Sequence, residues 1–191
     1  MCIRDSVYCE DKGAFTGEIS PSMLKETGVE YVIIGHSERR NIFGESDELI
    51  NKKVKKVMEY GMKPILCVGE KLEEREKGKT FDVVKNQLEN CLKDVKEKIE
   101  NVIIAYEPVW AIGTGKNATP QQAEEVHIFI REWFSQKYSE TIAQNLIILY
   151  GGSVKPENID SLMAQKDING VLVGGASLDK DSFLRIIDYR V

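Results

Sequence analysis

Two side chains of types that enzymes use for proton transfer stand directly after short apolar runs of this sequence. His36 follows residues 31–35 (YVIIG), and Glu107 comes two residues after the run at 102–105 (VIIA). An imidazole and a carboxylate can act as acid, base or electrophile at a reacting centre. Either one alone can equally be a hydrogen-bonded structural residue. Their shared position, at the ends of two separate runs, makes them candidate catalytic residues.

Glycine pairs follow two further apolar runs. Gly151 and Gly152 precede Ser153, and Gly174 and Gly175 precede a segment with helical periodicity. Glycine lets backbone N–H groups approach an anion, and the N-terminus of a following helix adds its positive dipole end. Gly-Gly pairs are also common turn formers. The two pairs together predict a phosphate-binding site.

The apolar runs themselves predict the elements that position these residues. Each run is continuous rather than alternating, which is typical of strands buried on both faces, and the intervals between them have helical periodicity. This alternation predicts βαβ units and a parallel sheet, either an open doubly wound sheet or a closed (β/α)₈ barrel. Both architectures place ligands at the carboxyl ends of the strands. The runs are residues 31–35, 64–68, 102–105, 146–150 and 170–173.

Helix start signals separate some of these runs. Ser46 is placed to cap a helix that continues through Ile50 and Val54, and Thr119 and Gln122 form a capping box around a proline. A third helix is predicted from Phe81, Val84, Leu88, Leu92 and Val95, which share one face.

Two other chemically notable features are predicted to be structural. His127 has no metal-ligand spacing and is expected on a helix surface or in a groove. The charged stretch at 70–79 (EKLEEREKGK) is expected to be a solvated loop and short helix.

Composition limits the class of protein. The chain has 191 residues, 42% of them hydrophobic and 30% charged, and a formal net charge of −5, which disfavours disorder and argues against nucleic acid or an anionic membrane as partner. The 4 cysteines lack C-x-x-C spacing, so neither a disulfide framework nor a zinc site is predicted. No run reaches signal-peptide or membrane-helix length. We expect a single cytoplasmic domain over residues 1–191.

Four motifs resemble the triosephosphate isomerase family, in the order in which that family carries them. They are residues 34–40 (IGHSERR), 105–115 (AYEPVWAIGTG), 150–154 (YGGSV) and 173–178 (VGGASL). The resemblance runs from about residue 7 to residue 191. It implies a (β/α)₈ TIM barrel that interconverts dihydroxyacetone phosphate and D-glyceraldehyde 3-phosphate, in glycolysis and gluconeogenesis, with no metal or organic cofactor.

The resemblance also implies roles for individual residues. Glu107 would be the base that moves the proton, and a neutral His36 would polarise the carbonyl oxygen; this enzyme is a standard example of both effects. Residues 108–115 would form a mobile lid, whose Gly113 would donate its backbone N–H to the phosphate. Ser153, Gly174 and Gly175 would hold the phosphate from the opposite side.

The loop at residues 11–18 (DKGAFTGE) resembles the family's dimerisation loop. The residues alone allow a local turn whose aromatic ring folds back onto its own domain. The resemblance favours a homodimer formed through Phe15 and Thr16.

The sequence departs from the family at its front. A barrel typically needs about 250 residues, and five strands are predicted here, so the chain resembles the last three quarters of the barrel. Residues 1–6 do not match the family, and no position matches the Asn and Lys of its first strand. Two hypotheses follow: part of an active isomerase, or a non-catalytic remnant. Another phosphosugar barrel enzyme is disfavoured by the His36 and Glu107 pair.

Overall fold

The computed structural model describes residues 3–112 and 117–191, and these fall into two compact units. The first comprises the chain up to Val68 together with Asn86–Ile103, and the second comprises Gly69–Lys85 together with Ile104–Val191. In both units strands alternate with helices along the chain, and paired strands run parallel. The predicted α/β class is therefore confirmed.

The first unit contains three parallel strands in chain order. They are β1 (Ile3–Asp5), β2 (Tyr31–Ile34) and β3 (Lys63–Val68). Val32 lies opposite Arg4 on one side and Pro64 on the other. The helices between them are α1 (Pro21–Glu26), α2 (Ser37–Asn41) and α3 (Asp47–Glu59).

The second unit contains three more parallel strands. They are β4 (Ile103–Tyr106), β5 (Ile148–Tyr150) and β6 (Gly170–Val171). Tyr150 lies opposite Tyr106 in β4 and Val171 in β6. The helices around them are α4 (Leu72–Glu76), α6 (Pro120–Lys137), α7 (Glu140–Asn145), α8 (Ile159–Met163) and α9 (Lys180–Ile187), and α5 (Thr80–Cys91) begins in this unit and ends in the first.

The prediction of only five strands is not confirmed, because residues 3–112 and 117–191 form six. The additional strand, β1, lies within the segment that was expected to be foreign to the family. It pairs with β2 through Ile3 opposite Tyr31, although all three of its residues are exposed. Its short, charged sequence gives no apolar run, so periodicity could not find it.

Local capping explains where the helices begin. The Ser46 side chain accepts a hydrogen bond from the Leu49 N–H at 3.4 Å, which caps α3. Thr119 Oγ1 accepts from the Gln122 N–H at 3.1 Å, and the Gln122 side chain accepts from the Thr119 N–H at 3.0 Å. Each bond satisfies an N–H that the helix leaves unpaired. Both predicted caps are confirmed.

The core lies along the strands and on the helix faces that pack against them. Val32, Ile34 and Leu66 of the first unit and Ile104 and Ile148 of the second are fully buried. The predicted apolar face of α5 is buried at Val84 and Leu88, whereas Phe81 is 36% exposed. The helix ends at Cys91, so Leu92 and Val95 of the predicted face lie beyond it and are buried there.

Candidate active site

Glu107 follows the last residue of β4 and is buried, with 2% of its surface exposed. Two glycines of the same unit make room for it. A Cβ added at Gly69 would overlap the Glu107 carbonyl oxygen, and one added at Gly151 would lie 2.9 Å from Glu107 Cγ. Gly151 also donates its N–H to the Tyr106 carbonyl oxygen at 2.7 Å. The loops that follow β3 and β5 therefore fix both the backbone and the side chain of Glu107.

The first glycine pair, Gly151 and Gly152, has a packing role in addition to the predicted one in phosphate binding. Besides the contact of Gly151 with Glu107, a Cβ added at Gly152 would overlap the hydroxyl of Tyr150. Burial raises the pKa of Tyr150 to about 12, so its hydroxyl stays protonated at neutral pH. At this pair, small size is required by neighbouring side chains.

His36 follows β2 in the first unit and is the N-cap residue of α2. Its Nδ1 accepts a hydrogen bond from the Glu38 N–H at 3.3 Å, and the Glu38 carboxylate lies 3.9 Å from the same nitrogen. Because Nδ1 is the acceptor, the proton of a neutral imidazole lies on Nε2. Because α2 begins at Ser37, the Glu38 N–H of its first turn lies beside the ring.

Ser153, Gly174 and Gly175 follow the neighbouring strands β5 and β6 of the second unit. Because parallel strands end at the same edge, these residues share the edge at which Glu107 follows β4. Gly175 begins a 3₁₀ turn that ends at Leu178, and a Cβ added at Gly174 or Gly175 would meet nothing within 4 Å. Both glycines are exposed, so their backbone is accessible to a ligand.

The start of the segment after Glu107 is held by a buried carboxylate. Glu70 is fully buried and accepts hydrogen bonds from the Tyr106 hydroxyl at 3.1 Å, from Trp110 Nε1 at 2.8 Å and from Arg75 Nη1 at 3.2 Å. The Glu70 carbonyl oxygen also accepts from the Val109 N–H at 3.1 Å. Gly113, predicted to bind the phosphate, lies outside the described residues.

The prediction of a solvated stretch at 70–79 is therefore wrong at its first residue. The following residues agree with it, because α4 begins at Leu72 and has no buried residue. The Arg75 guanidinium lies 4.7 Å from the centre of the Trp110 ring and covers it. The signal that could have revealed Glu70 is its position, two residues after the buried strand β3.

The predicted location of His127 is also wrong. His127 lies on α6 and is fully buried, with its ring edge-on to Tyr106 at 6.0 Å between centroids. Its Nδ1 lies 3.1 Å from the Asp167 carbonyl oxygen. Burial lowers the pKa of His127 to about 4. It is a neutral core residue, whose burial the surrounding apolar periodicity of α6 could have indicated.

The loop with the predicted dimer residues Phe15 and Thr16 is tied to the first unit. The Phe15 ring packs on Tyr8 at 4.5 Å between centroids and remains 39% exposed. Asp11, at the start of the loop, accepts hydrogen bonds from the Tyr60 hydroxyl at 2.8 Å and pairs with Lys56 at 3.0 Å. The ring thus folds back on its own unit while keeping an exposed edge.

Three negative findings apply to the described part of the chain. Within residues 3–112 and 117–191, no three His, Cys, Asp or Glu side chains group as metal ligands would. No helix there is long and apolar enough to cross a membrane. Cys9, Cys67 and Cys91 are not in disulfide bonds.

Parallel strands that alternate with helices in both units are typical of an α/β protein of the TIM-barrel type. A family model described as triosephosphate isomerase matches residues 2–190. The chain belongs to the triosephosphate isomerase family, and it is an isomerase. The family acts on triose phosphates.

Curated relatives named triosephosphate isomerase match over nearly the whole chain. That of Fusobacterium nucleatum is 59% identical over 184 residues, covering 96% of this chain and 73% of the relative. That of Caldanaerobacter subterraneus subsp. tengcongensis is 57% identical over 185 residues, covering 96% of this chain and 75% of the relative. The chain therefore spans about three quarters of the length of these relatives.

Proposed function

We propose that this protein interconverts dihydroxyacetone phosphate and D-glyceraldehyde 3-phosphate through an enediolate, in glycolysis and gluconeogenesis. The observation that carries the proposal is the buried Glu107 carboxylate, held between glycines at the end of β4 in a chain 59% identical to a triosephosphate isomerase. The reaction moves a proton between adjacent carbons and requires no redox step. Acid-base chemistry is enough for such a reaction, so the proposal includes no metal or organic cofactor.

Glu107 is the proposed base. It removes a proton from the carbon next to the substrate carbonyl and returns it to the neighbouring carbon. A carboxylate already stripped of most of its water needs little reorganisation before it accepts the proton. The tight fit against Gly69 and Gly151 supports this role, because a base must be held within hydrogen-bonding reach of the proton that it takes.

His36 is the proposed electrophile. The Glu38 N–H occupies the lone pair of Nδ1, which leaves Nε2–H as the donor for the developing oxyanion of the enediolate. The imidazole acts in its neutral form, because a nitrogen that accepts the Glu38 N–H carries no proton of its own.

The proposed phosphate site uses backbone groups. Ser153, Gly174 and Gly175 lie after adjacent strands, and the two glycines leave open space beside their backbone. We propose that their N–H groups bind the phosphate, with Gly113 donating from the other side. The Glu70 contacts with Trp110 and Val109 support a closing segment at 108–115, because they anchor its first residues.

We further propose that the protein acts as a cytoplasmic homodimer whose contacts include Phe15 and Thr16. The exposed edge of Phe15 and the anchored base of its loop support this interface, since a preformed loop loses less entropy on association. The thiols of the described residues Cys9, Cys67 and Cys91, which are not in disulfide bonds, are compatible with a reducing compartment. The net charge of −5 supports neither nucleic acid nor an anionic membrane as partner. Residues 1–191 would belong to one barrel domain, as its C-terminal three quarters.

The test uses a chimera in which the N-terminal quarter of the Fusobacterium nucleatum relative precedes this chain. We expect the chimera to isomerise triose phosphates and the Glu107→Gln variant to lose at least about 100-fold in turnover, the lower range for general base catalysis. Glu125→Gln, on the exposed face of α6, is the matched control and should keep the parent turnover.

Two outcomes would contradict the proposal. An active chimera whose turnover survives Glu107→Gln removes Glu107 from its role. A chimera that folds and binds phosphate but shows no isomerisation favours the alternative, a non-catalytic remnant of the family. Assay of the 191-residue chain alone then measures how much activity it retains by itself.

A further inference from the structure

The Arg40 side chain crosses back beneath the first turn of α2 and is only 14% exposed. Its Nε donates to the Gly35 carbonyl oxygen at 2.7 Å, and its Nη2 donates to the Cys67 carbonyl oxygen at 3.1 Å. Gly35 follows the last residue of β2, and Cys67 lies next to the last residue of β3. One guanidinium therefore ties α2 to the ends of two neighbouring strands.

A third element joins this contact. Arg40 Nη1 donates to Asp47 Oδ1 at 2.5 Å, and Asp47 is the first residue of α3. Cys91 lies against both groups, with its sulfur 3.5 Å from Arg40 Nη2 and 3.2 Å from Asp47 Oδ1. Burial raises the pKa of the Cys91 thiol to about 12, so Asp47 supplies the negative charge that balances Arg40.

The backbone of Gly35 is shaped to receive the guanidinium. Gly35 has φ +73, a conformation that favours glycine. A Cβ at this position would lie 3.0 Å from Arg40 Nη2 and 3.3 Å from the Cys67 carbonyl oxygen. The residue directly before His36 is thus held by Arg40 through a close contact that a side chain would disturb.

The stability of α2 depends on the hydrogen bonds that Arg40 makes to the neighbouring elements. With 5 residues, α2 is far too short to be stable by itself. The hydrogen bond from the Glu38 N–H to His36 Nδ1 is 3.3 Å long, beyond the usual range for N–H donors. A small rotation of the Gly35 or His36 backbone would break it. What fixes this turn therefore helps to keep the imidazole oriented with Nδ1 toward the Glu38 N–H.

We propose that Arg40 is a positioning residue for His36: it locks the strand end and the first turn of α2, so that Nδ1 stays the acceptor and the proton stays on Nε2. Arg40 does not contact the reacting atoms in this role. A lysine cannot replace it, because a single ammonium cannot reach three acceptors in the planar arrangement of a guanidinium. The inference rests on the proposed function, which gives Nε2–H its purpose.

The test reads the tautomer of His36 directly, by ¹⁵N NMR of the ring nitrogens in the 191-residue chain at neutral pH. The chain has 2 histidines, so His127 in the second unit serves as an internal reference. In the parent, we expect a protonated Nε2 and an unprotonated Nδ1 for His36. In Arg40→Lys, the ratio of the Nε2-protonated tautomer to the Nδ1-protonated tautomer of His36 should fall by at least about threefold, as expected for loss of one hydrogen bond. The signals of His127 should not change.

Arg39→Lys is the matched control. Arg39 lies on the same helix, but its guanidinium binds the buried Glu45 at 2.6 Å. This variant keeps the charge and leaves the contacts of Gly35 intact, so the His36 signals should not change. If Arg40→Lys fails to fold, Asp47→Asn replaces it, since that change removes the balancing charge with little change in size. It should shift the ratio in the same direction.

The inference is overturned if the His36 ratio stays at the parent value in the folded variant. It is also overturned if the His36 and His127 signals change together, because that pattern indicates general loosening. Isomerase activity is measured separately, in the chimera. An unchanged His36 tautomer ratio in folded Arg40→Lys contradicts positioning by Arg40. An inactive chimera contradicts the proposed function but does not alter the NMR result, which is measured on the 191-residue chain.

Discussion

The fully buried His127 makes the stability of this protein depend on pH in a way that one substitution can isolate. Burial is the main cause that lowers its pKa from 6.5 to about 4, and the positive charge of Arg131 acts in the same direction. The Asp167 carbonyl and carboxylate oppose the shift but do not overcome it. Across the ring lies Tyr106, which stays uncharged because burial raises its pKa well above the usual value.

The sign follows from comparing the folded and unfolded states. Between pH 6.5 and 4 the unfolded chain takes up a proton at His127 that the folded chain excludes, so stability is present above pH 6.5 and falls as the pH falls toward 4. Each pH unit of difference in pKa corresponds to about 1.4 kcal/mol. Between pH 7 and 4.5, the loss due to His127 is therefore about 2 kcal/mol.

The assay is urea unfolding at pH 7 and 4.5 for the parent and for His127→Asn. An asparagine amide can still donate to the Asp167 carbonyl oxygen but does not titrate. The variant is expected to be less stable at pH 7, because it loses the ring contact with Tyr106. It should also lose about 2 kcal/mol less than the parent on acidification. The Asp and Glu carboxylates titrate in both proteins alike, so their contributions cancel when the two losses of stability are compared. Parallel losses in the two proteins would refute the reasoning.

Two further predictions concern Glu70 and Phe15. Glu70→Gln should destabilise the chain by about 1–3 kcal/mol in urea unfolding followed by tryptophan fluorescence, because the buried Tyr106 hydroxyl and the Arg75 charge lose a carboxylate partner. The control, Glu73→Gln at an exposed position, should change stability by less than about 0.5 kcal/mol. Equal effects of the two substitutions would contradict the reasoning. Phe15→Asp should weaken the dimer of the chimera at least tenfold (about 1.4 kcal/mol) in sedimentation equilibrium. An unchanged dimer would exclude this loop from the interface.

The positions of the candidate catalytic residues could be predicted because strand ends are visible in a sequence. Val32 and Ile104 lie in continuous apolar runs that mark strands buried on both faces. In a parallel sheet, whatever follows such a run must lie at the ligand-binding edge. The sequence predicts the positions of His36 and Glu107 in this way, and the motifs around them indicate the family.

The features that were missed depend on partners far apart in sequence. Glu70 looks like the start of a charged, solvated stretch, but besides Arg75 it is bonded by Tyr106 and Trp110, which lie 36 and 40 positions later. His127 is polar on an otherwise apolar helix face, and a carbonyl acceptor 40 positions later allows it to be buried. Strand β1 carries no hydrophobic signal and is specified by its pairing with β2. Local sequence gives at most an indirect signal of these contacts, through the position of Glu70 after β3 and the apolar periodicity around His127.

The two glycine pairs look alike in sequence, but the physical reason for glycine differs between them. Alanine substitutions at Gly152 and Gly175 distinguish the two reasons. At Gly152 an added methyl group would overlap the Tyr150 hydroxyl, whereas at Gly175 it would meet nothing within 4 Å. Gly152→Ala should therefore destabilise the chain by about 1–3 kcal/mol in urea unfolding, as overpacking does. Gly175→Ala should change stability by less than about 0.5 kcal/mol.

For phosphate binding, we expect the opposite order, with the larger effect from Gly175→Ala. If Gly175 is glycine so that a phosphate can reach its backbone, the methyl group of Gly175→Ala fills that approach. It should weaken the binding of inorganic phosphate to the chimera about tenfold in titration calorimetry, equivalent to about 1.4 kcal/mol. Phosphate affinity equal to the parent's would mean that this pair is glycine for its turn alone. The phosphate site would then have to be sought at other residues.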